Sequence, residues 1–315
     1  MAKPTLLALT HLFSDQMDRL DKDFNVIALY KEPDPEAVMA RVKDDVKAIL
    51  CVIHNPVRAH LIDACPNLEM IVCKSVGFDN VDVAYAQSKN ITVANCPDLV
   101  TNDTADTAMG LMINISRRFV ELDAYTRAGR WPTETKKPLS RSLSNKKVGI
   151  IGLGRIGQAI AKRCDAFDMD VSYFGRNRKS QFAYNYYDDL VKMATDMDFL
   201  IAAVPGGKET ENIVNADIFN ALGDKGYFIN ISRGSVVDED ALVYALQNYK
   251  IAGAGLDVYV DEPNVPDELK TMDHVVLLPH VGAVTHETVY KMGDLIIENL
   301  HLHFDGKPVK TPVQI

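Results

Sequence analysis

Short apolar runs alternate with stretches of helical period along the chain, and this alternation constrains the fold more than any other feature. The runs are rich in Val and Ile, as buried strands are. Alternation of this kind is typical of parallel βα units, so the sequence predicts the α/β class. We expect strands at residues 5–9, 26–29, 48–53, 70–74 and 91–94 and, in a second series, at 148–151, 170–174, 199–204, 227–231, 251–255 and 275–278.

The length of 315 residues predicts about two domains. A helical pattern opens after Thr101 and Asn102 and runs toward Gly129, and we interpret it as the bridge between the domains. The polar, proline-containing stretch that follows, as far as Lys147, is typical of an exposed loop. A last helical pattern over 285–304 is expected to return to the first domain.

Composition and charge limit the partners. With 34 basic and 43 acidic residues the formal charge is −9, so the net field repels nucleic acid and anionic membrane surfaces, and we expect neither as a partner. No run approaches the roughly 18 apolar residues of a membrane span, and the start of the chain has no cleavage-site pattern, which predicts a cytoplasmic protein. The five cysteines are scattered, which argues against a disulfide framework or a bound metal and predicts that they are buried apolar residues.

A GxGxxG motif lies at a strand-to-helix turn in the second series. It consists of Gly152, Leu153, Gly154, Arg155, Ile156 and Gly157. The first glycine permits a tight turn, the second lets the backbone approach a pyrophosphate, and the third lets the helix pack on the strand. We therefore expect a dinucleotide at the N-terminus of this helix; a glycine-rich turn without a ligand is the alternative.

The end of the next strand indicates which dinucleotide binds. An acidic residue there would accept a hydrogen bond from a ribose 2′-hydroxyl, but the chain has Gly175, followed by Arg176, Asn177 and Arg178. Arginine donors suit a 2′-phosphate, so the turn favours NADPH (NADP) over NADH. A solvated basic turn is the alternative.

Three candidate catalytic side chains, Arg233, Glu262 and His280, each follow a predicted strand of the second series. Because the carboxyl ends of parallel strands face the ligand crevice, we expect them to converge beside the nicotinamide. Taken singly, a surface Arg, a Glu in an acidic turn and a His at the rim of a core are ordinary features. Their order beside the glycine motif favours a joint function.

Together with SVGFD at 75–79, DTADTAMG at 103–110 and FGRNR at 174–178, these segments resemble the D-isomer-specific 2-hydroxyacid dehydrogenase family. The likeness covers nearly the whole chain and is strongest to the NADPH-dependent hydroxypyruvate, glyoxylate and hydroxyphenylpyruvate reductases of that family. It implies a Rossmann-type doubly wound dinucleotide-binding domain over 102–282 and a smaller flavodoxin-like substrate-binding domain from 1–101 and 283–315. It also implies a homodimer.

The resemblance further implies roles for single residues. Arg233 would anchor the substrate, Glu262 would partner the acid/base His280, and the loop Ser75, Val76 and Gly77 would bind the substrate carboxylate. Beyond the glycine motif and the turn from Gly175 to Arg178, the expected cofactor contacts are Thr104, Val204, Pro205, Ile231, Asp257, His280 and Gly282.

The chemistry explains these residue types. Reduction of a 2-oxo acid delivers hydride to the carbonyl carbon and needs a proton at its oxygen, which His280 can donate because an adjacent carboxylate favours the imidazolium. Arg233 can hold the substrate carboxylate by two parallel bonds. We expect NADPH-dependent reduction of glyoxylate, hydroxypyruvate or an aryl pyruvate to the D-2-hydroxy acid. The alternatives are a 2-ketogluconate reductase and a non-catalytic dinucleotide-sensing regulator of the same fold.

Overall fold

A computed structural model of the chain describes residues 3–134 and 139–314. The chain divides into two compact units, a first unit of Met1–Val100 with Val284–Ile315 and a second unit of Thr101–Ala283. Residues 135–138 of the expected loop before Lys147 lie outside the described part. No helix within that part is long and apolar enough to span a bilayer.

The first unit is built around a five-stranded parallel sheet with the order β2-β1-β3-β4-β5. This is the flavodoxin-like order, as expected. Apolar side chains of β3 and β4 pack against α3 and α4 on one face. Its elements are β1 (Thr5–Ala8), α1 (Ser14–Asp23), β2 (Asn25–Ala28), α2 (Pro35–Val42), β3 (Val46–Cys51), α3 (Ala59–Ala64), β4 (Met70–Cys73), α4 (Val83–Ser88), β5 (Thr92–Ala94) and, numbered in chain order, α12 (His286–Phe304).

The second unit contains a seven-stranded parallel sheet with the order β12-β11-β10-β9-β6-β7-β8. The order reverses between β6 and β9, as in a Rossmann fold, and this confirms the predicted fold class. Its elements are α5 (Thr101–Arg117), α6 (Phe119–Arg127), β6 (Lys147–Ile151), α7 (Arg155–Ala166), β7 (Asp170–Phe174), β8 (Asn185–Tyr187), α8 (Leu190–Asp196), β9 (Phe199–Ala202), α9 (Ala216–Leu222), β10 (Tyr227–Asn230), α10 (Glu239–Gln247), β11 (Gly253–Leu256), α11 (Asp267–Lys270) and β12 (Val275–Leu277).

The expectation of six strands in this sheet was wrong, because β8 is a seventh. It has three residues and pairs only with β7 at the edge of the sheet. The segment Asn185–Tyr187 is half-exposed and has no apolar run by which a strand could be predicted. So short a strand is stabilised by pairing with its neighbour, which its own sequence does not indicate.

The long helical pattern that starts at Thr101 is also not one helix. It divides at Arg118, whose backbone is left-handed with a φ of 55°. The first part, α5, buries Ala105, Met109 and Met112 in the core of the second unit and packs on α7. The second part, α6, leaves Phe119 and Val120 exposed.

The prediction for the cysteines is confirmed. All five are buried and free. Burial raises the pKa of the Cys65 thiol to about 11 and that of Cys96 to about 12, so both behave as small apolar side chains.

Candidate active site

The glycine motif forms the turn between β6 and α7, at the point where the strand order reverses. Gly152 has a φ of 95°, and a Cβ there would lie 2.6 Å from Val204 Cγ1. A Cβ on Gly157 would lie 2.1 Å from the Gly152 carbonyl oxygen, so the protein's own packing requires both glycines. A Cβ on Gly154 would meet no protein atom within 4 Å. The protein's own packing does not require this glycine, and the open space beside it leaves room for a ligand such as a dinucleotide pyrophosphate.

The basic turn after β7 is solvent-exposed from Arg176 to Arg178. Arg176 donates to Glu209 Oε2 at 2.9 Å, and both side chains are more than three-quarters exposed. Lys179 donates from Nζ to the Leu153 carbonyl oxygen at 2.7 Å and so ties this turn to the glycine motif. Sequence reasoning counted Lys179 among the cations after Gly175 but did not predict its bond to Leu153, and it missed Glu209, because both contacts join segments that are distant along the chain.

Asp257, itself a predicted cofactor contact, lies close to two others, Thr104 and Gly282. Its carboxylate, 2% exposed, accepts the N–H groups of Val281 at 2.7 Å and Gly282 at 2.8 Å. Burial raises the pKa of the Asp257 carboxyl, and these two hydrogen bonds oppose the rise. A Cβ on Gly282 would lie 2.8 Å from Asp257 Oδ2 and 3.7 Å from Thr104 Cγ2, so Thr104, Asp257 and Gly282 lie together.

His280 and Glu262 form a pair at the carboxyl edge of the sheet. His280 Nδ1 lies 2.7 Å from Glu262 Oε2, and Glu262 Oε1 accepts the Tyr259 N–H at 3.0 Å. The backbone of His280 is left-handed, with a φ of 54°, and the Asp257 hydrogen bonds to the next two residues hold it there. Because Nδ1 faces Glu262, Nε2 is the other ring nitrogen at which the imidazole can carry a proton.

Arg233 lies in the loop after β10, and its backbone is fixed by a buried side chain that the sequence analysis did not single out. Asn230, 1% exposed, donates to the Arg233 carbonyl oxygen at 3.0 Å and accepts from the N–H and hydroxyl of Ser232. A Cβ on Gly206 would lie 2.9 Å from Arg233 Cγ, so the Arg233 side chain packs on that glycine. The guanidinium donates to the Ser232 carbonyl oxygen at 2.7 Å.

In the first unit, the loop of Ser75, Val76 and Gly77 follows β4 and exposes main-chain donors. The three carbonyl oxygens are occupied by the Cys96 N–H, the Asn95 side-chain amide and the Ser75 hydroxyl. Among residues 3–134 and 139–314, no acceptor lies on the N–H groups of Val76 and Gly77. Such a loop can bind an anion such as a carboxylate. Asn95, which orients it, was another residue that sequence reasoning missed.

The remaining predicted contacts lie after strands of the second unit's sheet. Val204 and Pro205 follow β9, and Val204 packs over Gly152. Ile231 follows β10 and is buried. Arg155 and Asn177 are exposed, whereas Leu153 is buried in the core.

Comparison with known proteins identifies the family of this chain. Residues 109–282 match the model of the D-isomer specific 2-hydroxyacid dehydrogenase NAD binding domain. The chain belongs to this family. It is 45% identical over 294 residues to a hydroxyphenylpyruvate reductase of Plectranthus scutellarioides, covering 93% of this chain and 94% of that protein. These matches confirm the resemblance that the sequence predicted. They also confirm that the chain contains an NAD(P)-binding domain and that it is a dehydrogenase.

Two further relatives bear on the choice of substrate and cofactor. The chain is 40% identical over 315 residues to a 2-ketogluconate reductase of Gluconobacter oxydans, covering 99% of each. The crystal structure of an NADPH-dependent glyoxylate/hydroxypyruvate reductase of Sinorhizobium meliloti, in complex with NADP and malonate, superposes with a TM-score of 0.90 at 40% identity. It covers 99% of this chain and 97% of that one.

Proposed function

We propose that this dehydrogenase reduces a small 2-oxo acid, namely glyoxylate, hydroxypyruvate or an aryl pyruvate, to the D-2-hydroxy acid with NADPH. The observation that carries the proposal is the 2.7 Å contact between His280 and Glu262, held in a left-handed turn by Asp257. The names of the plant and Sinorhizobium relatives support the same substrate class.

Each residue has one task in this reaction. The bound nicotinamide supplies the hydride. His280 donates a proton from Nε2 to the carbonyl oxygen. Glu262 stabilises the imidazolium before this transfer and keeps the remaining proton on Nδ1 of the neutral ring afterwards. Arg233 holds the substrate carboxylate by charge-assisted bonds. In the first unit, the N–H groups of Val76 and Gly77 are donors that suit a carboxylate.

The cofactor contacts are proposed for the residues around the glycine turn. The turn of Gly152 to Gly157 would hold the pyrophosphate, and the basic turn of Arg176 to Arg178 would hold the 2′-phosphate. Asp257, near Thr104 and Gly282, has a second lone pair on each carboxylate oxygen with which to accept from the nicotinamide carboxamide. The exposure of Arg176 to solvent supports the preference for NADPH, because its guanidinium is accessible to a phosphate.

The proposal is tested by following NADPH oxidation at 340 nm with glyoxylate, hydroxypyruvate, hydroxyphenylpyruvate, phenylpyruvate and 2-ketogluconate. We expect turnover with at least one of the first four and a D-configured product on a chiral column where the product is chiral. No oxidation with any of them, while NADPH binding is detected by fluorescence, would favour the dinucleotide-sensing regulator. The highest kcat/KM with 2-ketogluconate would favour the second candidate, which the Gluconobacter relative supports.

Two further properties are proposed. We propose a homodimer whose interface includes Phe119 and Val120 on α6, which are 45% and 55% exposed and would lose that exposure in a dimer. We propose a cytoplasmic location, because five free buried cysteines suit a reducing compartment. Sedimentation equilibrium of the wild type and of Val120→Asp tests the first, and cell fractionation tests the second.

A further inference from the structure

Lys74 lies between β4 and the loop that exposes the N–H groups of Val76 and Gly77. Its main-chain N–H still bonds the end of β3, but its side chain crosses the carboxyl edge of the first unit's sheet. Nζ donates to the carbonyl oxygen of His11, which follows β1, at 2.7 Å. Since β3 lies between β1 and β4, the ammonium lies over the edge at which this unit's binding loop is found.

The charge of Lys74 has no acidic partner among the described residues. In the described part of the chain no carboxylate lies within ion-pair distance of its Nζ, whereas Lys47, Lys89 and Lys310 each pair with an acidic side chain. Partial burial lowers the pKa of Lys74 below the usual value for lysine. A half-buried ammonium with one carbonyl acceptor retains two N–H donors, and an incoming anion would stabilise its charge.

The ammonium and the open N–H groups are also close along the chain. Consecutive Cα atoms are about 3.8 Å apart, so the Cα atoms of Lys74 and Val76 are separated by no more than about 8 Å. A 2-oxo acid with a second anionic group at its remote end could offer one anion to the loop and one to the ammonium. A substrate whose remote end is uncharged, such as a methyl group, would leave the two Lys74 donors without an anionic partner.

We propose that Lys74 binds a second anionic group of the substrate, so that the protein accepts 2-oxo acids with a carboxylate or phosphate at the end remote from the reacting carbonyl. The proposal rests on the proposed function, since it assumes that the 2-oxo acid carboxylate lies on the loop of Val76 and Gly77. A charge-assisted hydrogen bond of this kind corresponds to roughly a tenfold to hundredfold difference in affinity.

The test compares kcat/KM for oxaloacetate and for 3-phosphohydroxypyruvate with kcat/KM for glyoxylate, which has no remote group. In Lys74→Met the ratio for at least one of the two dianionic substrates should fall at least tenfold relative to wild type, and Lys74→Arg should restore most of it. The substrate whose ratio falls identifies the anion as carboxylate or phosphate. The matched control is Lys47→Met, which removes an exposed lysine of the same unit and should leave both ratios within twofold of wild type.

Direct binding separates this proposal from the proposed function. Calorimetry with malonate, which has two carboxylates, and acetate, which has one, needs no turnover. Wild type should bind malonate at least tenfold more tightly than acetate, and Lys74→Met should lose that preference. Equal ratios and equal malonate affinity in wild type and Lys74→Met would overturn the proposal and leave Lys74 as a support for the His11 segment, seen only as a fall in Tm. Absence of all 2-oxo acid reduction with the malonate difference intact would instead overturn the proposed function.

Discussion

Glu262→Gln removes the negative charge beside His280 while keeping the shape of the side chain. The variant retains an oxygen for the Tyr259 N–H, 3.0 Å away in the wild type, so the turn should persist. Two unit charges about 4 Å apart interact by about 4 kcal/mol at an effective dielectric constant of about 20. Because the His280 and Glu262 side chains are 25% and 17% exposed, solvent screens part of this, and about 2–3 kcal/mol remains. The imidazolium that donates the proton loses that stabilisation, so kcat should fall roughly 30- to 150-fold.

The assay is NADPH oxidation at saturating glyoxylate and cofactor, with NADPH affinity measured separately by fluorescence. Glu239→Gln is the matched control, because it makes the same chemical change in the same region. Within the described part of the chain, the Glu239 carboxylate accepts only the Val260 N–H, at 3.1 Å. Its kcat should stay within threefold of wild type. A kcat for Glu262→Gln within threefold of wild type, or an equal loss in both variants, would refute the assignment of Glu262 as the charge partner of His280.

Three further outcomes are expected. Arg176→Ala should raise the KM for NADPH roughly 10- to 100-fold and the KM for NADH far less. Glu209→Gln should lower the KM for NADPH, because it removes a carboxylate 2.9 Å from the Arg176 guanidinium. If Arg176→Ala changes both KM values equally, Arg176 does not bind the phosphate. Asp257→Asn leaves one acceptor for two N–H groups, so kcat should fall at least tenfold and amide exchange at Val281 should accelerate; unchanged exchange would contradict a positioning role. Burial raises the pKa of the Cys96 thiol from 9.0 to about 12, so above pH 9 the thiol ionises more readily in the unfolded chain than in the folded one. The free energy of unfolding should therefore be unaffected by this group below pH 9 and fall by up to about 1.4 kcal/mol per pH unit as the pH rises toward 12. Urea unfolding at pH 8 and pH 10 should give a smaller difference for Cys96→Ala than for wild type, and identical differences would be evidence against it.

The sequence predicted the parts of the fold that depend on local patterns. Both sheets follow from Val- and Ile-rich runs such as 148–151, because burial on two faces demands apolar residues at every position. The edge strand Asn185–Tyr187 and the break at Arg118 could not be found in this way. The strand is held by its pairing with β7, and the break needs a left-handed residue that no glycine marks.

The site was predictable in its residue types and order, but not in the contacts that orient them. Arg233 and His280 each follow a strand, which pattern reasoning can locate. These contacts depend on which strands are neighbours in the sheet. Examples are the bond from Asn230 to the Arg233 backbone and the bonds from Asp257 to the two residues after His280. Lys74 gave no signal either, because its significance lies in a carbonyl partner that is 63 positions away in the chain.

The most direct test of the account is the kcat of His280→Gln with glyoxylate and NADPH, measured together with the Kd for NADPH. General acid catalysis contributes roughly 10²- to 10⁴-fold, so kcat should fall within that range while the Kd changes by only a few-fold. A variant that turns over within tenfold of the wild-type rate would contradict the claim that this imidazole donates the proton.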